Sequence, residues 1–318
     1  MSWSAADVPD QAGKTVVVTG ANSGIGYQAT GALARKGATV VMACRSVERG
    51  ESAAAKLREQ VPDADLDVRE CDLGSLASVE SFADGLREAY DDLHTLYNNA
   101  GVMAIPRSET EDGFETQFGV NHLGHFALTA RLLDVLVGTT GETRVVTQSS
   151  GVHERGEIDF DDPHHRDSYG KWEAYAQSKL ANVLFAYELD RRLTDAGLED
   201  VTSVACHPGY ADTNLQARGP EAEGSTLRLY AMTAVNAVFA QSPADGALPM
   251  LYAGTAPDVD GGEYVGPGGF IDMRGAPEKQ SSSDRSYDED AADRLWELSE
   301  DETGLEYDFA APVDPAEA

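Results

Sequence analysis

Short apolar runs rich in β-branched residues recur along the chain and alternate with longer stretches of helical periodicity. The runs lie at 14–19, 38–43, 66–71, 93–97, 144–150 and 201–206, and a shorter one lies at 263–265. Their length and composition are typical of strands that are buried on both faces of a parallel sheet. We therefore predict one doubly wound α/β domain with about seven parallel strands and helices on both faces.

Two of the predicted helices carry unusual polar residues. One runs from 114 to 136 and has Asn121 among apolar positions, and the other carries Tyr175 and runs to about 196. An asparagine inside an apolar helix can bind backbone groups at a kink, so Asn121 is open to a structural or a functional interpretation. His122 and His125 lie beside it, but no carboxylate or cysteine completes a ligand set, so we predict no metal site.

The chain is strongly acidic. It has 318 residues and a net charge of −31, with 55 acidic and 24 basic residues. A surface of this charge repels nucleic acid and anionic membranes, so neither is expected as a partner. Acidic proteins with few lysines are typical of organisms that keep molar salt in the cytoplasm, where screening over about 3 Å removes most of the self-repulsion. We therefore interpret the chain as halophilic.

The cysteines and the chain start bear on the compartment. Cys44, Cys71 and Cys206 lie at or near the ends of strand-like runs and have no C-x-x-C spacing. We interpret them as core thiols of a reducing compartment and not as a disulfide framework. The first residues lack a basic region followed by an apolar core, and no apolar run approaches the roughly 18 residues of a membrane helix. We expect a soluble, cytoplasmic protein.

A glycine-rich loop, Gly20-Ala-Asn-Ser-Gly24-Ile-Gly26, follows the first predicted strand and leads into a helical pattern. This order of strand, glycine turn and helix is typical of a dinucleotide phosphate site. Gly20 permits a tight turn, Gly24 lets backbone approach a pyrophosphate, and Gly26 lets the helix pack against the strand. The helix N-terminus faces the phosphates with its partial positive charge. The predicted cofactor contacts in this loop are Gly20, Asn22, Ser23, Gly24, Ile25 and Gly26.

The residues after the second strand bear on which dinucleotide binds. An NAD site usually has a carboxylate there that binds the ribose 2′-OH, whereas this chain has Cys44-Arg45-Ser46. An arginine suits a 2′-phosphate, which it can bind through two parallel hydrogen bonds. We therefore predict NADP(H) in preference to NAD(H), bound by Arg45 and Ser46. The alternative is that Arg45 is a solvated loop charge.

Three other strand ends supply further candidates for cofactor binding. Asp72-Leu73 follows the third strand, where the carboxylate could accept from the adenine amino group or cap the next helix. Asn99-Ala100-Gly101 follows the fourth strand, and Pro208-Gly209 with Thr213 follows the sixth. The carboxyl ends of the strands line the crevice where open α/β sheets bind ligands. We include these residues among the predicted contacts.

A candidate proton-transfer site combines the fifth strand with the helix that bears Tyr175. Tyr175 and Lys179 are four residues apart, so they share one face of that helix. Ser150, at the end of the strand, can point at the same place. A phenol, an ammonium and a hydroxyl together suit proton transfer to or from an alcohol or a carbonyl. An isolated Tyr-x-x-x-Lys is more often a half-buried tyrosine beside a solvated lysine, so the surrounding motifs carry the interpretation.

Taken together, these motifs resemble the short-chain dehydrogenase/reductase family. Thr19-Gly20-x-x-x-Gly24-Ile25-Gly26, Asn98-Asn99-Ala100-Gly101, Asn121, Ser150, Tyr175-x-x-x-Lys179 and Pro208-Gly209-x-x-x-Thr213 occur in the order of that family, over about residues 13–300. Within the family the chain resembles the branch of the retinol dehydrogenases, which is similar to protochlorophyllide reductases. The cues are Ala43-Cys44-Arg45, the segment 172–182 and the long insertion between Ser150 and Tyr175.

The resemblance implies a Rossmann-like fold and a role for each residue of the proton-transfer site. Tyr175 would be the general acid/base. Lys179 would lower the pKa of Tyr175, which is ordinarily near 10, and would bind the nicotinamide ribose. Ser150, in preference to Ser149, would hydrogen-bond the substrate oxygen and stabilise the charge that develops on it.

The same resemblance implies further roles outside that set. Asn121 would hold a water that relays protons to Lys179. Thr213 and the Pro208-Gly209 turn would bind the carboxamide end of the nicotinamide. Tyr27 stands where many members of the branch carry a lysine after the glycine loop. The hydride chemistry belongs to the cofactor.

The sequence thus predicts an NADP(H)-dependent oxidoreductase that interconverts an alcohol and a ketone or aldehyde. We expect a catalytic domain at 1–272 that includes a lid at about 214–240, followed by a helical extension and acidic tail at 273–318. The substrate is expected to be small and apolar, because the lid segment 231–239 is apolar. The alternative is a non-catalytic dinucleotide-binding sensor or scaffold of the same fold. A monomer, a homodimer and a tetramer are all compatible with the sequence.

Overall fold

One sheet forms the centre of the fold. The structure is a computed structural model that describes residues 2–209, 242–269 and 274–309. Within those ranges the strands are β1 (Thr15–Thr19), β2 (Thr39–Cys44), β3 (Asp65–Glu70), β4 (Thr95–Asn98), β5 (Thr143–Gln148), β6 (Val201–Cys206), β7 (Tyr264–Pro267) and β8 (Pro277–Gln280). Their order is β3-β2-β1-β4-β5-β6-β7-β8, and β1 to β7 are parallel. The predicted α/β fold is confirmed.

The strand β8 is the difference from the predicted count of about seven. It pairs antiparallel with β7, so that Pro277 lies opposite Pro267 and Gln280 lies opposite Tyr264. Of its four residues only Pro277 is buried, and the sequence Pro-Glu-Lys-Gln has no apolar run. An edge strand pairs with one neighbour and has a solvated side. Backbone pairing, and not a hydrophobic pattern, makes this segment a strand.

Helices cover both faces of the sheet. In the described ranges they are α1 (Gly24–Arg35), α2 (Val47–Gln60), α3 (Leu76–Ala89), α4 (Thr116–Phe118), α5 (Gly124–Gly138), α6 (Lys171–Asp195), α7 (Pro243–Gly246), α8 (Leu248–Thr255) and α9 (Glu289–Thr303). Not one of these described helices combines the length and the apolar composition needed to cross a membrane.

The two faces of the sheet bury separate apolar cores. On one face, α1, α2 and α8 pack against Val16 and Val18 of β1. On the other face, α3, α5 and α6 pack against Val17 of β1 and Val41 of β2. Successive residues of β1 thus enter opposite cores, as the two-residue period of a strand requires. Burial on both faces explains why these strands read as continuous β-branched runs.

The long helix predicted at 114–136 is interrupted around Asn121. Helix α4 leads into a π-turn at Gly119–Leu123, in which the backbone N–H of Gly124 bonds to the carbonyl of Gly119, and α5 follows. Gly124 lies so close to the loop after β3 that a Cβ atom there would collide with the carbonyl oxygen of Leu73. Single π-turns inside helices are frequent at functional sites. Asn121 thus lies in a distorted turn of the helix, where both the structural and the functional interpretation remain open.

The C-terminal helix α9 packs on the outer side of α6. Trp296 is buried against Phe126 and Phe185, with ring centroids 5.2 and 5.9 Å away. Beyond the helix, the hydroxyl of Tyr307 donates to the carbonyl of Phe126 over 2.8 Å. The chain after residue 272 thus supplies an edge strand and an outer layer over α5 and α6. The domain boundary at 272 stays a prediction.

Several predicted features lie outside the described residues. They are Thr213, the lid at 214–240 with its apolar segment 231–239, and the end of the acidic tail after residue 309. What can be compared with the structure is therefore the glycine loop, the strand ends and the proton-transfer residues.

Candidate active site

A cleft of about 390 Å³ opens at the carboxyl ends of the parallel strands. It spans the ends of β1 and β4, where the strand order reverses and where open α/β sheets bind ligands. The predicted site residues that line it are Gly20, Asn22, Ser23, Gly24, Ile25, Gly26, Arg45, Ser46, Asp72, Leu73, Asn99, Ala100, Gly101, Ser150, Tyr175, Lys179, Pro208 and Gly209. Asn121 lies behind this lining. The predicted cofactor contacts and three of the four catalytic candidates thus share one cleft.

The cleft also contains residues that the sequence analysis did not assign. They are Thr19, Ala43, Arg49, Cys71, Val102, Met103, Val120, Gln148, Ser149, Val152 and Trp172. Two of them had a sequence signal: Arg49 lies one helical turn after Arg45, and Trp172 lies one turn before Tyr175. The others come from turns and strand ends whose approach to the cleft depends on the tertiary fold.

The glycine loop has the geometry of a phosphate cradle. Gly20 and Gly24 have φ angles of 68° and 56°, which favour glycine. A Cβ atom on Gly26 would lie 2.5 Å from the carbonyl oxygen of Gly20. Helix α1 begins at Gly24, and the side chain of Ser23 makes no capping hydrogen bond to it. The free N–H groups at the start of α1 therefore fit the pyrophosphate of a dinucleotide.

Hydrogen bonds join the ends of β1 and β4 beneath this loop. The side-chain amide of Asn99 donates to the carbonyl of Thr19 over 2.7 Å. The Thr19 hydroxyl accepts from the backbone N–H groups of Asn99 and Ala100, each at 2.9 Å. One bond from the Asn99 side chain and two from backbone N–H groups thus tie the turn after β4 to the end of β1, and Asn99 fixes the turn on which a cofactor would lie.

His125 connects the same threonine to the π-turn. Its Nε2 atom is 2.9 Å from the Thr19 hydroxyl, and its Nδ1 atom is 3.0 Å from the carbonyl of Asn121. The carbonyl of Asn121 can only accept, so Nδ1–H donates to it and Nε2 is the unprotonated nitrogen. Nε2 faces the Thr19 hydroxyl, which also lies 3.2 Å from the carbonyl of Tyr97. Burial lowers the pKa of His125 to about 4, which keeps it neutral. His122 instead contacts the hydroxyl of Ser299 at 2.8 Å.

Arg45 and Arg49 lie at the edge of the cleft where β2 ends. Both are exposed, and neither has a carboxylate within ion-pair distance in the ranges that the structure describes. Ser46 lies between them and caps α2 by accepting from the N–H of Arg49 over 3.4 Å. In a chain with more than twice as many acidic as basic residues, two cations on one cleft that have no acidic partner among the described residues suit a bound anion.

Asp72 makes local hydrogen bonds at the end of β3. Its Oδ1 atom accepts from the backbone N–H of Gly74 over 3.0 Å. The first turn of α3 is instead capped from another segment, because Asp112 accepts from the N–H of Leu76 over 2.9 Å. Asp72 was predicted either to contact the adenine amino group or to cap the next helix. In the structure it does not cap α3. Its carboxylate lines the cleft.

Tyr175 and Lys179 lie on one face of α6 and are both buried, at 4% and 3% exposure. The Lys179 Nζ atom lies 5.9 Å from the centroid of the Tyr175 ring. The ammonium donates to the carbonyl of Gln148 at the end of β5 over 3.0 Å, and the same carbonyl accepts from Asn182 over 2.9 Å. The lysine is therefore anchored beside the phenol and is not a solvated surface charge.

Ser150 and Ser149 have different environments. The Ser149 hydroxyl is buried and donates to the carbonyl of Lys179 over 2.7 Å, which anchors the end of β5 to α6. Ser150 caps a 3₁₀ turn at Gly151–Arg155, where its hydroxyl accepts from the N–H of Val152 over 3.3 Å, and the same hydroxyl acts on the Tyr175 phenol to lower its pKa. Because only the Ser150 hydroxyl is directed at the phenol, it is the better placed of the two for substrate.

Burial dominates the electrostatics of the phenol and the ammonium. It raises the pKa of Tyr175 to about 12, and the hydrogen bond from Ser150 opposes that rise only in part. It lowers the pKa of Lys179 to about 8, against a smaller opposing effect of Cys206. The expectation that Lys179 lowers the pKa of Tyr175 below 10 is therefore wrong for this structure. Loss of water around the phenol outweighs the effect of Ser150, which lowers the pKa.

The side chain of Asn121 is fully occupied by protein. Its Oδ1 atom accepts from the N–H of Val102 over 2.8 Å, and its amide donates to the carbonyl of Val102 and to the Ser178 hydroxyl. Gly101 lies against it, since a Cβ there would be 2.9 Å from Oδ1 and 3.6 Å from the Lys179 ammonium. Asn121 thus ties the turn after β4 to α6, next to the lysine, and both amide donors are used.

Comparison with known proteins decides the family. The family model described as short chain dehydrogenase matches residues 14–224. The chain belongs to this family. Retinol dehydrogenase 14 of Mus musculus is 40% identical over 305 residues, which cover 92% of this chain and 86% of the relative. Retinol dehydrogenase 13 of Homo sapiens is 42% identical and covers 92% and 86%, and polyprenol dehydrogenase of Mus musculus is 42% identical and covers 81% and 77%.

Solved structures agree with this membership. A crystal structure of a protein from Mycobacterium paratuberculosis is 41% identical, has a TM-score of 0.79 and covers 97% of this chain and 100% of that one. The RhlG–NADP complex from Pseudomonas aeruginosa is 23% identical with a TM-score of 0.62, covers 80% and 94%, and shows the shared fold. As a short-chain dehydrogenase similar to retinol dehydrogenases, the protein is an NAD(P)-dependent oxidoreductase that acts on CH–OH donors.

Proposed function

We propose that this dehydrogenase uses NADP(H) to interconvert an alcohol and a ketone or aldehyde, with Tyr175 as the general acid/base. The observation that carries the proposal is the buried group of Ser150, Tyr175 and Lys179 in the same cleft as the glycine loop. A hydroxyl, a phenol and an ammonium with little water around them suit proton transfer to an oxygen atom. A dinucleotide sensor would have no need of this set.

The protonation states favour Tyr175 as a proton donor. With a pKa of about 12, the phenol carries its proton at neutral pH and gives it to the carbonyl oxygen of the substrate. Ser150 hydrogen-bonds the same oxygen and stabilises the negative charge that develops on it. The nicotinamide, when bound, supplies the hydride. These states favour carbonyl reduction at neutral pH.

Lys179 and Asn121 support the phenol in different ways. Lys179, with a pKa of about 8, is mostly charged at neutral pH and stabilises the phenolate that proton transfer leaves behind. Lys179 would also bind the ribose of the nicotinamide when the cofactor is present. Asn121 also acts as a positioning residue through Val102 and Ser178, which occupy both of its amide donors, so a relay water would bind one of its acceptor oxygens.

The general acid/base is tested by the initial rate of NADPH oxidation with aldehydes and ketones of graded size, in about 2 M KCl to screen the acidic surface. We expect Tyr175→Phe to lower kcat by at least about 100-fold, the lower range for a general acid. Tyr187→Phe is the matched control, because Tyr187 is also on α6 and its hydroxyl bonds Ser282 outside the cleft. Equal rates in the two variants would refute the role of Tyr175.

The preference for NADP(H) rests on Arg45 and Arg49. Tyr27, which stands where related dehydrogenases often have a lysine, accepts a hydrogen bond from Gln60 and does not replace the cation of that lysine. Arg49 of α2 then supplies, besides Arg45, the second positive charge for the 2′-phosphate. A charge-assisted hydrogen bond contributes about 1.5–3 kcal/mol to binding. Because both arginines are exposed, we expect the contribution of each to lie near the lower end of this range.

Cofactor titration tests this preference. We expect Arg45→Gln and Arg49→Gln each to raise the Kd for NADPH by roughly 10-fold and to leave the Kd for NADH unchanged, since about 1.4 kcal/mol corresponds to that factor. Arg58→Gln is the control, because Arg58 is on the same helix and pairs with Glu51. Parallel losses for both cofactors would mean that the arginines do not bind the 2′-phosphate.

An apolar substrate is supported by the exposed ring of Trp172. Its centroid lies 6.2 Å from that of Tyr175, it is 51% exposed, and Met103 and Val152 line the same cleft. The names of the relatives, retinol and polyprenol dehydrogenases, favour the same class. We expect Trp172→Ala to raise KM for long apolar carbonyls and to leave KM for a three-carbon carbonyl unchanged. Equal effects on both would refute the contact.

The last part of the proposal is that the protein is halophilic and cytoplasmic. The charge of −31 supports a halophilic protein, and three free, buried cysteines support the cytoplasm. We expect the midpoint of thermal unfolding to rise steadily with KCl up to about 2 M, because salt screens repulsion between acidic side chains. A midpoint that is independent of KCl would refute the halophilic interpretation.

A further inference from the structure

Three buried rings lie beside the cleft and contact both of its strand-end loops. Tyr264 of β7 stacks on His207 with centroids 5.3 Å apart and planes 7° apart, and it meets His153 at 5.3 Å. His153, Tyr264 and His207 are 1%, 3% and 4% exposed. None of them lines the cleft. We call these three residues the ring stack.

His153 holds the backbone of Ser150. Its own N–H and its Nδ1 atom are 2.9 and 2.8 Å from the carbonyl oxygen of Ser150, so one residue occupies both lone pairs of that oxygen. Its Nε2 atom accepts from the N–H of Ser283 over 3.1 Å. Nε2 is therefore the unprotonated nitrogen, and Nδ1–H donates to the carbonyl of Ser150, with the Tyr264 hydroxyl as a longer contact of Nδ1 at 3.3 Å. Burial lowers the pKa of His153, which favours this neutral state.

His207 holds the other loop in a similar way. Its Nδ1 atom accepts from the N–H of Gly209 over 3.3 Å, and its Nε2 atom is 3.1 Å from the side-chain oxygen of Gln280 on β8. The amide of Gln280 donates to the carbonyl of Pro267, which fixes the orientation of that amide. A Cβ atom on Gly266 would collide with His207, so the close contact with β7 requires glycine there.

We propose that the ring stack is a positioning device that sets Ser150 against Tyr175, with His153 as the positioning residue. The inference rests on the proposed role of Ser150. His153 fixes the carbonyl of Ser150, and the hydroxyl of Ser150 faces the Tyr175 phenol. The backbone and the side chain of Ser150 are therefore held by different parts of the fold. The anchor for His153 is Ser283, and the anchor for His207 is Gln280. The segment after residue 272 thus contributes to catalysis without touching the substrate.

A purely structural role makes a different prediction from a positioning role. If His153 only supports packing, its replacement should change the stability of the protein and should not change kcat relative to KM. A positioning residue changes kcat through the orientation of Ser150, because a hydroxyl displaced by a fraction of an ångström stabilises the developing charge less well. The binding of NADPH should not respond, since His153 lies outside the cleft.

Two variants separate the two nitrogens of His153. His153→Asn keeps a donor near the position of Nδ1 and loses the acceptor for Ser283. His153→Gln keeps an acceptor near the position of Nε2 and loses the donor to Ser150. The control is His164→Gln, because His164 is fully buried and its Nδ1 atom accepts from the N–H of Glu115 over 3.1 Å, away from Ser150. Unfolding midpoints, kcat, KM and the Kd for NADPH are measured for all three.

We expect His153→Gln to lower kcat by about 10- to 100-fold at unchanged Kd for NADPH, the scale of a misplaced catalytic group. His153→Asn should keep kcat within about threefold, even if its unfolding midpoint falls, and His164→Gln should lower only the midpoint. Unchanged kcat in His153→Gln, or equal losses in the Gln and Asn variants, would overturn the proposal. Ser150→Ala is run alongside: full kcat in that variant would refute the role of Ser150 itself.

Discussion

Replacing Lys179 by methionine should abolish turnover and stabilise the protein. The ammonium is 3% exposed, and burial lowers its pKa from an ordinary 10.5 to about 8. At about 1.4 kcal/mol per pKa unit, keeping it charged at pH 7 costs about 3 kcal/mol of folding free energy. Methionine preserves the apolar chain out to Cε and removes the charged nitrogen. It forfeits one hydrogen bond to Gln148, of about 1 kcal/mol, but that carbonyl keeps its bond from Asn182.

We therefore expect Lys179→Met to raise the free energy of unfolding by about 2 kcal/mol at pH 7. The gain should depend on pH in a defined direction. Because the folded-state pKa is depressed, the unfolded chain binds more protons between pH 8 and 10.5, and the wild type gains stability as pH rises through that window. The advantage of the variant should therefore shrink above pH 8, vanish about 1.5 pH units higher, and reverse by about 1 kcal/mol near pH 10.5.

The assay is urea unfolding of both proteins at several pH values, in constant KCl, followed by circular dichroism. Lys56→Met is the matched control, because Lys56 is an exposed lysine of α2. Its stability difference from the wild type should be small and independent of pH over this window. A Lys179→Met protein that is less stable than the wild type at pH 7, with no trend toward pH 10, would refute the reasoning. It would mean that the ammonium is stabilised by contacts stronger than its desolvation.

Three further variants test the scaffold. Gly26→Ala should weaken NADPH binding by at least about 10-fold in a titration while circular dichroism stays native, because the added methyl would lie 2.5 Å from the Gly20 carbonyl and must displace the loop. Asn121→Ala should lower the free energy of unfolding by about 2–4 kcal/mol, because it leaves both backbone groups of Val102 without their partner; a loss below 1 kcal/mol would contradict this. Trp296→Ala should cost about 3–5 kcal/mol in the same measurement, since it empties the contact between α9 and α6.

Local chemistry made much of the fold and the cofactor half of the cleft predictable from sequence. β-Branched runs identify the parallel strands because burial on both faces removes the polar alternation. Gly20 and Gly24 adopt φ angles that favour glycine, so the loop is recognisable without its surroundings. Tyr175 and Lys179 face the same way because helix geometry puts positions four apart on one side. Each of these inferences depends on neighbours along the chain.

Only the tertiary structure determined the pKa values in the site and the distant residues that hold the site in place. Whether Lys179 lowers the pKa of Tyr175 depends on how much water each loses, and burial by several elements reversed that expectation. The strand β8 exists because β7 offers it a backbone edge. His153 reaches Ser150 from nearby in sequence, but its anchor, Ser283, lies 130 residues away. Contacts between distant segments leave no periodic signal in a single sequence, because they are selected by packing and not by local geometry.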